Sequence, residues 1–330
     1  MRRLTRRDLL TAALSASSVL VVSSCGLVTS TRQTRIPRIG WLGIGPPEPR
    51  PFPATAFSDG LREIGYIDGQ NCSVEWRFAP PGDVNELAQE LVGLPVDVMV
   101  TSGTPEVVAA AGATHTLPVV SGGPSRDLID LGLVQSYARP GANVTGTGAN
   151  RDVYRKLVEI LKQVVPTMAR VGYLRDPGVP GSTQQMQLSQ ASATQLGLDF
   201  IEFQATNASE IESAFQAAAS SGIHGVVISG AGGYGTLYGP IALRYRVPTI
   251  SSQVQNYVDH STLLGYSPDF AASQRRAARY VDKILKGASA ADLPVEQAMT
   301  FELGVNLQTA TALGVTIPED VLVQATFVVR

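Results

Sequence analysis

Cysteine and histidine are nearly absent: in 330 residues there are two cysteines, Cys25 and Cys72, and three histidines, His115, His224 and His260. That scarcity excludes a disulfide-stapled fold, most zinc sites and most cysteine–histidine nucleophile pairs, all of which need clustered thiols or imidazoles. No two histidines are close in sequence, so each reads as structural or surface. Charge is also scarce, at 16% of residues, and 26 Lys and Arg face 28 Asp and Glu. Without clustered basic residues to neutralise phosphates, nucleic acid is excluded as a partner. What the chain does have is 44% apolar residues and 32 glycines, enough to bury a large interior at a length that suggests about two domains.

Met1 to Arg7 is basic, Leu9 to Val22 is an apolar run diluted by Ser and Thr, and Val22-Ser23-Ser24-Cys25 follows at once. This pattern predicts a signal peptide over residues 1–24, too short to span a membrane as a stable helix. Thr5-Arg6-Arg7-Asp8-Leu9-Leu10 resembles a twin-arginine export motif, with general secretion the open alternative. Val22-Ser23-Ser24-Cys25 resembles a lipobox, so Cys25 is the expected lipidation site and residues 25–36 the tether of a membrane-anchored, exported protein. Losing the leader's four arginines and one aspartate would move the formal net charge from −2 to −5. Cys72 is then left without a partner and is expected to be a small buried thiol.

From Pro37 onward, short β-rich runs alternate with longer amphipathic ones, the pattern of βαβ units on a parallel sheet. Strands are predicted at Arg38–Leu42, Val96–Val100, Pro118–Val120, Val171–Leu174, Asp199–Phe203, Gly225–Ile228 and Val247–Ile250. Between them, Phe57, Leu61 and Ile64 share one helical face, Thr104 can cap a helix with Pro105 at its first position, and Ser209 with Glu212 reads as a capping box.

The second half repeats the first. Arg38–Leu42 matches Arg170–Leu174 and Gly65 matches Gly197 at an offset of 132; Ser102-Gly103 matches Ser229-Gly230 at 127, and Pro118 matches Pro248 at 130. Two similar α/β lobes are implied, with binding loops at the carboxyl ends of the strands. Those loops are Gly43–Pro53, Ser102–Pro105 and Ser121–Arg126 in lobe one, and Arg175–Thr183, Ser229–Thr236 and Ser251–Tyr257 in lobe two. They hold glycines, hydroxyls, amides and a few aromatics, with no base beside a nucleophile and no P-loop. Such a surface suits binding a polar small molecule without transforming it, and no cofactor or metal is expected.

Phe57–Tyr66, Asp68–Asn71, Val74–Arg77, Ala138–Gly146, Tyr280–Gly287, Leu293–Gln297, Phe301–Leu303 and Asn306–Pro318 together resemble the substrate-binding proteins of ABC transporters, in the family that includes tryptophan- and tyrosine-binding members. The resemblance implies a type I periplasmic-binding fold: α/β, with two similar doubly wound parallel-sheet lobes joined by three crossover segments. By it the crossovers lie near Asn143–Gly148, Leu263–Ser267 and Val295–Phe301. Lobe one comprises 37–145 plus 266–297, and lobe two 146–265 plus 298–330. It further implies a monomer that hands a small, amino-acid-like solute to ABC permease subunits. A sensory ligand-binding module and an α/β enzyme acting on a nucleotide or sugar phosphate are the alternatives. Where relatives commonly carry Gly-Asp-Pro, this chain has Gly122-Gly123-Pro124-Ser125.

The candidate ligand residues follow. Ser102, Gly103 and Thr104 would offer hydroxyls and helix-start amides to a carboxylate, or merely cap the helix. Ser121 and Gly122 follow by the same logic. Asp176 would accept an ammonium or close a turn before Pro177; Asp269 would bind an amine or cap the helix after it. Gly230, Tyr234 and Gln253 lie in lobe-two loops, and Tyr234 and Tyr266 would stack on a ring or pack the wall.

Overall fold

In the computed structural model, Arg38–Ile44 forms strand β1, buried throughout except at its two ends, as a strand covered on both faces must be. Ile39 and Trp41 enter one apolar cluster and Leu42 another, so β1 has helices on either side. The structure describes residues 35–45, 51–80, 83–125, 128–148, 150–179, 181–229, 234–254 and 257–330. Pro37–Arg330 forms one compact unit, and the lobes described below belong to it. The expected signal peptide, Cys25, most of the tether and Gly230 lie outside the described residues.

The chain continues as α1 (Phe52–Glu63), β2 (Ser73–Ala79), α2 (Val84–Gly93), β3 (Val98–Thr101), α3 (Thr104–Ala113), β4 (Val119–Ser125) and β5 (Val144–Gly148). After β5 come α4 (Asp152–Val164), β6 (Arg170–Arg175), α5 (Ser182–Gln195), β7 (Asp199–Gln204), α6 (Ala208–Ser220), β8 (Gly225–Ile228), α7 (Gly235–Arg244), β9 (Thr249–Ser251) and β10 (Leu264–Pro268). The last elements are α8 (Phe270–Leu285), β11 (Glu296–Gln297), β12 (Phe301–Asn306), α9 (Leu307–Leu313), α10 (Glu319–Gln324) and β13 (Phe327–Val329).

Two sheets result, in the orders β11-β5-β4-β3-β1-β2 and β13-β12-β10-β9-β8-β6-β7. The first is parallel throughout. The second departs from the expected parallel sheet at its edge, where β12 is antiparallel to β10 and β13 follows β12. The path of the chain explains the reversal. After β10 it leaves for α8, which packs on α1 of the first lobe, and it re-enters beside the carboxyl end of β10, so β12 must run back.

The repeat is visible hydrogen bond by hydrogen bond. Ser102 N–H donates to Leu42 O and Ser229 N–H to Leu174 O, each at 3.0 Å; Met99 N–H meets Pro118 O at 2.8 Å and Val226 N–H meets Pro248 O at 2.9 Å. Helices α1 and α5 end alike, with Tyr66 N–H to Leu61 O and Leu198 N–H to Ala193 O, both 2.9 Å, made possible by left-handed Gly65 and Gly197. Ile39–Leu42 and Val171–Leu174 therefore occupy equivalent strands.

Two expected helix starts shift. Asn207, not Ser209, caps α6: its side chain accepts from Glu210 N–H, while Glu210 Oε2 accepts from Thr206 N–H at 2.7 Å. Asn207-x-x-Glu210 and Ser209-x-x-Glu212 share the capping spacing, and the earlier pair wins because Asn207 holds the extended backbone a cap needs. For α3 the cap is Gly103, and Thr104 is already helical. Cys72 is a free thiol wholly buried in the first lobe, and burial pushes its pKa up to about 11.

Candidate ligand-binding cleft

The chain passes between sheets after β5, after β10 and between β11 and β12. These passages are tied together: Asp269 N–H donates to Thr300 O at 2.9 Å, and Ala298 N–H to Gly148 O at 3.1 Å. Since β5 and β10 leave their sheets at their carboxyl ends, the loops at those ends of both sheets lie on the interlobe side, where open α/β sheets bind ligands.

In lobe one this side is built on the turn from β3 into α3. The Ser102 hydroxyl donates to Glu106 Oε1 at 2.5 Å, and Ile44 N–H, at the end of β1, donates to the same oxygen at 3.1 Å. Glu106 is 3% exposed, and burial raises its pKa against the lowering effect of those bonds and of its own amide. Its other oxygen, Oε2, is buried without a hydrogen-bond partner among the described residues, as is Thr101 Oγ1 five residues earlier. Glycine lets the backbones close in here: a Cβ on Gly123 would sit 2.0 Å from Ser102 O.

The remaining candidates on β4 and at the passage from β10 into α8 are taken up by contacts within the fold. Ser121, fully buried, donates its hydroxyl to Thr147 O at 2.9 Å, and Thr147 returns a bond to Ser121 O at 3.0 Å across the register shift between β4 and β5. Gly122 lies against the Gln274 amide of α8. Asp269 accepts from Ala272 N–H at 2.8 Å and caps α8. Tyr266 packs on the lobe-two core and stacks on Phe301 with centroids 5.4 Å apart.

In lobe two, Asp176 follows β6 and accepts from Gly178 N–H at 2.7 Å. Tyr234 precedes α7; Tyr238, on α7, stacks on Tyr257 at 5.9 Å. The Tyr238 hydroxyl is driven well above its ordinary pKa, first by burial and then by Tyr257, Asp176 and Tyr234; Asp176, Tyr234 and Tyr257 follow β6, β8 and β9 in turn. Gln253 donates its backbone N–H to Ser251 Oγ at 3.1 Å.

Three polar residues that the sequence pattern did not single out line the same strand ends. Besides Glu106 they are Arg175, which donates to Glu202 at 2.7 Å and to the Ser182 hydroxyl at 3.1 Å, and Gln185, which accepts from the Ser229 hydroxyl at 2.7 Å. All three are buried. An acid in a first helical turn is common enough on a surface that nothing in Thr104-Pro105-Glu106 signalled its burial.

Residues 54–329 match the family model described as ABC transporter substrate binding protein. The chain belongs to that family. A tyrosine-binding protein of Clostridioides difficile (strain R20291) is 23% identical over 265 residues, which cover 78% of this chain and 75% of the relative. Among solved structures, a conserved domain protein of Vibrio cholerae O1 biovar El Tor str. N16961 superposes with a TM-score of 0.80 at 27% identity, covering 89% of this chain and 100% of that one. An ABC domain from Streptococcus pneumonia, solved in complex with L-Trp, gives 0.78 at 26% identity over 89% and 99% of the two chains. The two-lobed α/β architecture is thus that of a substrate-binding protein, a class that binds rather than catalyses. Among the described residues no helix is long and apolar enough to cross a membrane.

Proposed function

We propose that this family member is the exported, lipid-anchored receptor of an ABC importer, taking a small amino-acid-like solute between its lobes and delivering it to a permease. The observation that carries the reading is the pair of polar, strand-end surfaces, one around Ser102 and Glu106 and the other around Asp176, Tyr234 and Arg175, on either side of three crossovers. Similarity to a tyrosine-binding protein and to a domain in complex with L-Trp supports an aromatic amino acid as the first solute to try. Capture by closure requires a solute that gains contacts only when the lobes approach, because one that binds open and closed forms equally shifts nothing. Native mass spectrometry of gently purified protein tests this: one small molecule released unchanged is the expected result, and a chemically altered one would favour an enzyme.

A further inference from the structure

Glu106 is an odd neighbour for the anion site expected at the start of α3. Helix-start amides favour an anion, yet this start already holds a carboxyl in its first turn, folded back under the cap. The Ser102 hydroxyl and Ile44 N–H both go to Oε1, and the residue's own amide also acts on the carboxyl. Oε2 is left buried and, among the described residues, unpartnered, an arrangement that buried polar groups in native proteins rarely keep unless something else completes it. Next to Oε2 is Gly103: a Cβ built there would stand 3.1 Å from it, and the three nearest atoms it would meet beyond its chain neighbours all belong to Glu106. Gly103 has extended backbone, φ −165°, which any residue adopts, so conformation does not demand glycine. What glycine does here is keep a side chain from pressing on Oε2. A second ligand carboxylate brought here would face like charge, whereas a cationic N–H donor would satisfy the orphan oxygen and pair with the charge in one contact.

We propose that Glu106 Oε2 receives the ammonium group of the solute, so that lobe one reads the amine and leaves the carboxylate to lobe two. This rests on the amino-acid reading above and reverses the orientation that the helix start alone suggests. It makes Glu106 the residue that discriminates amino acids from their des-amino counterparts, with Gly103 as the opening through which it does so.

Calorimetric titration of L-tryptophan, L-tyrosine, 3-indolepropionate and 3-(4-hydroxyphenyl)propionate into the wild type, Glu106→Gln and Gly103→Ala tests it. Glu106→Gln keeps an acceptor for Ser102 and Ile44; Gly103→Ala keeps the carboxyl and covers Oε2, so one variant remains informative if the other fails to fold. The wild type is expected to prefer an amino acid over its des-amino partner, and each variant to reduce that preference by about 10- to 100-fold, the worth of one charge-assisted hydrogen bond, with des-amino affinity kept. A merely structural role would weaken both members of a pair alike, and that result, or an unchanged preference, overturns the proposal while leaving the receptor reading intact. A wild type that binds none of the four overturns the proposal and the amino-acid reading together.

Discussion

The Ser102 hydroxyl donates to Glu106 Oε1 across 2.5 Å, and that bond joins the end of β3 to the first turn of α3 at the interlobe side of lobe one. Because Ile44 N–H reaches the same oxygen, a single carboxyl holds together β1, β3 and α3.

Stability should depend on pH through this carboxyl. Burial raises the folded-state pKa of Glu106 above the ordinary 4.5. A raised carboxyl pKa means the native state binds the proton more tightly, so its contribution is fully present below about pH 4.5 and is lost as pH rises through the raised value. Glu106→Gln mimics the neutral form. Thermal unfolding from pH 4 to 8 should therefore show the variant gaining on the wild type as pH increases; a constant difference contradicts the assigned burial.

Close backbone approach predicts opposite results for two glycines. Gly123→Ala forces a Cβ to within 2.0 Å of Ser102 O and should cost about 2 kcal/mol or more. Gly112, in α3, where an added methyl would meet none of the described residues within 4 Å, should tolerate alanine and gain up to about 1 kcal/mol from helix propensity. Urea denaturation of both variants reads the difference.

Helix α6 should respond to its cap and not to the neighbouring serine. Asn207→Ala removes the side-chain acceptor for Glu210 N–H and should cost about 1 kcal/mol, whereas Ser209→Ala should stay within about 0.5 kcal/mol. Equal losses in chemical denaturation would mean that the two hydroxyl and amide groups share the cap.

The proposed membrane attachment rests on Val22-Ser23-Ser24-Cys25. Cys25→Ser should shift the protein from the membrane to the soluble fraction or leave it unprocessed, as seen by fractionation and intact mass. Unchanged fractionation and mass contradict a lipid anchor.

Much of the fold was legible because its repeat is written in residues that make equivalent hydrogen bonds. Ser102 and Ser229, or Pro118 and Pro248, look alike in sequence for the reason that they end or begin the same strand in each lobe. Strand direction was not legible: Phe301–Asn306 has the composition of any buried strand, and only the return from α8 decides that it runs against β10. The helix-start shift at α6 arose because two overlapping Asn/Ser-x-x-Glu spacings satisfy the same local rule. Glu106 escaped notice for a different reason. Its role depends on Ile44, sixty-two positions away in sequence, whose N–H has no signature in the chain at all.

Closure of the two lobes on an amino-acid-like solute is tested most directly by solution X-ray scattering of the processed protein titrated with L-tryptophan and with L-tyrosine. A smaller radius of gyration is predicted at saturation with at least one of them, since closure is what a solute touching both lobes would drive. An unchanged radius with both, at concentrations up to the millimolar range where even weak receptors fill, would contradict it.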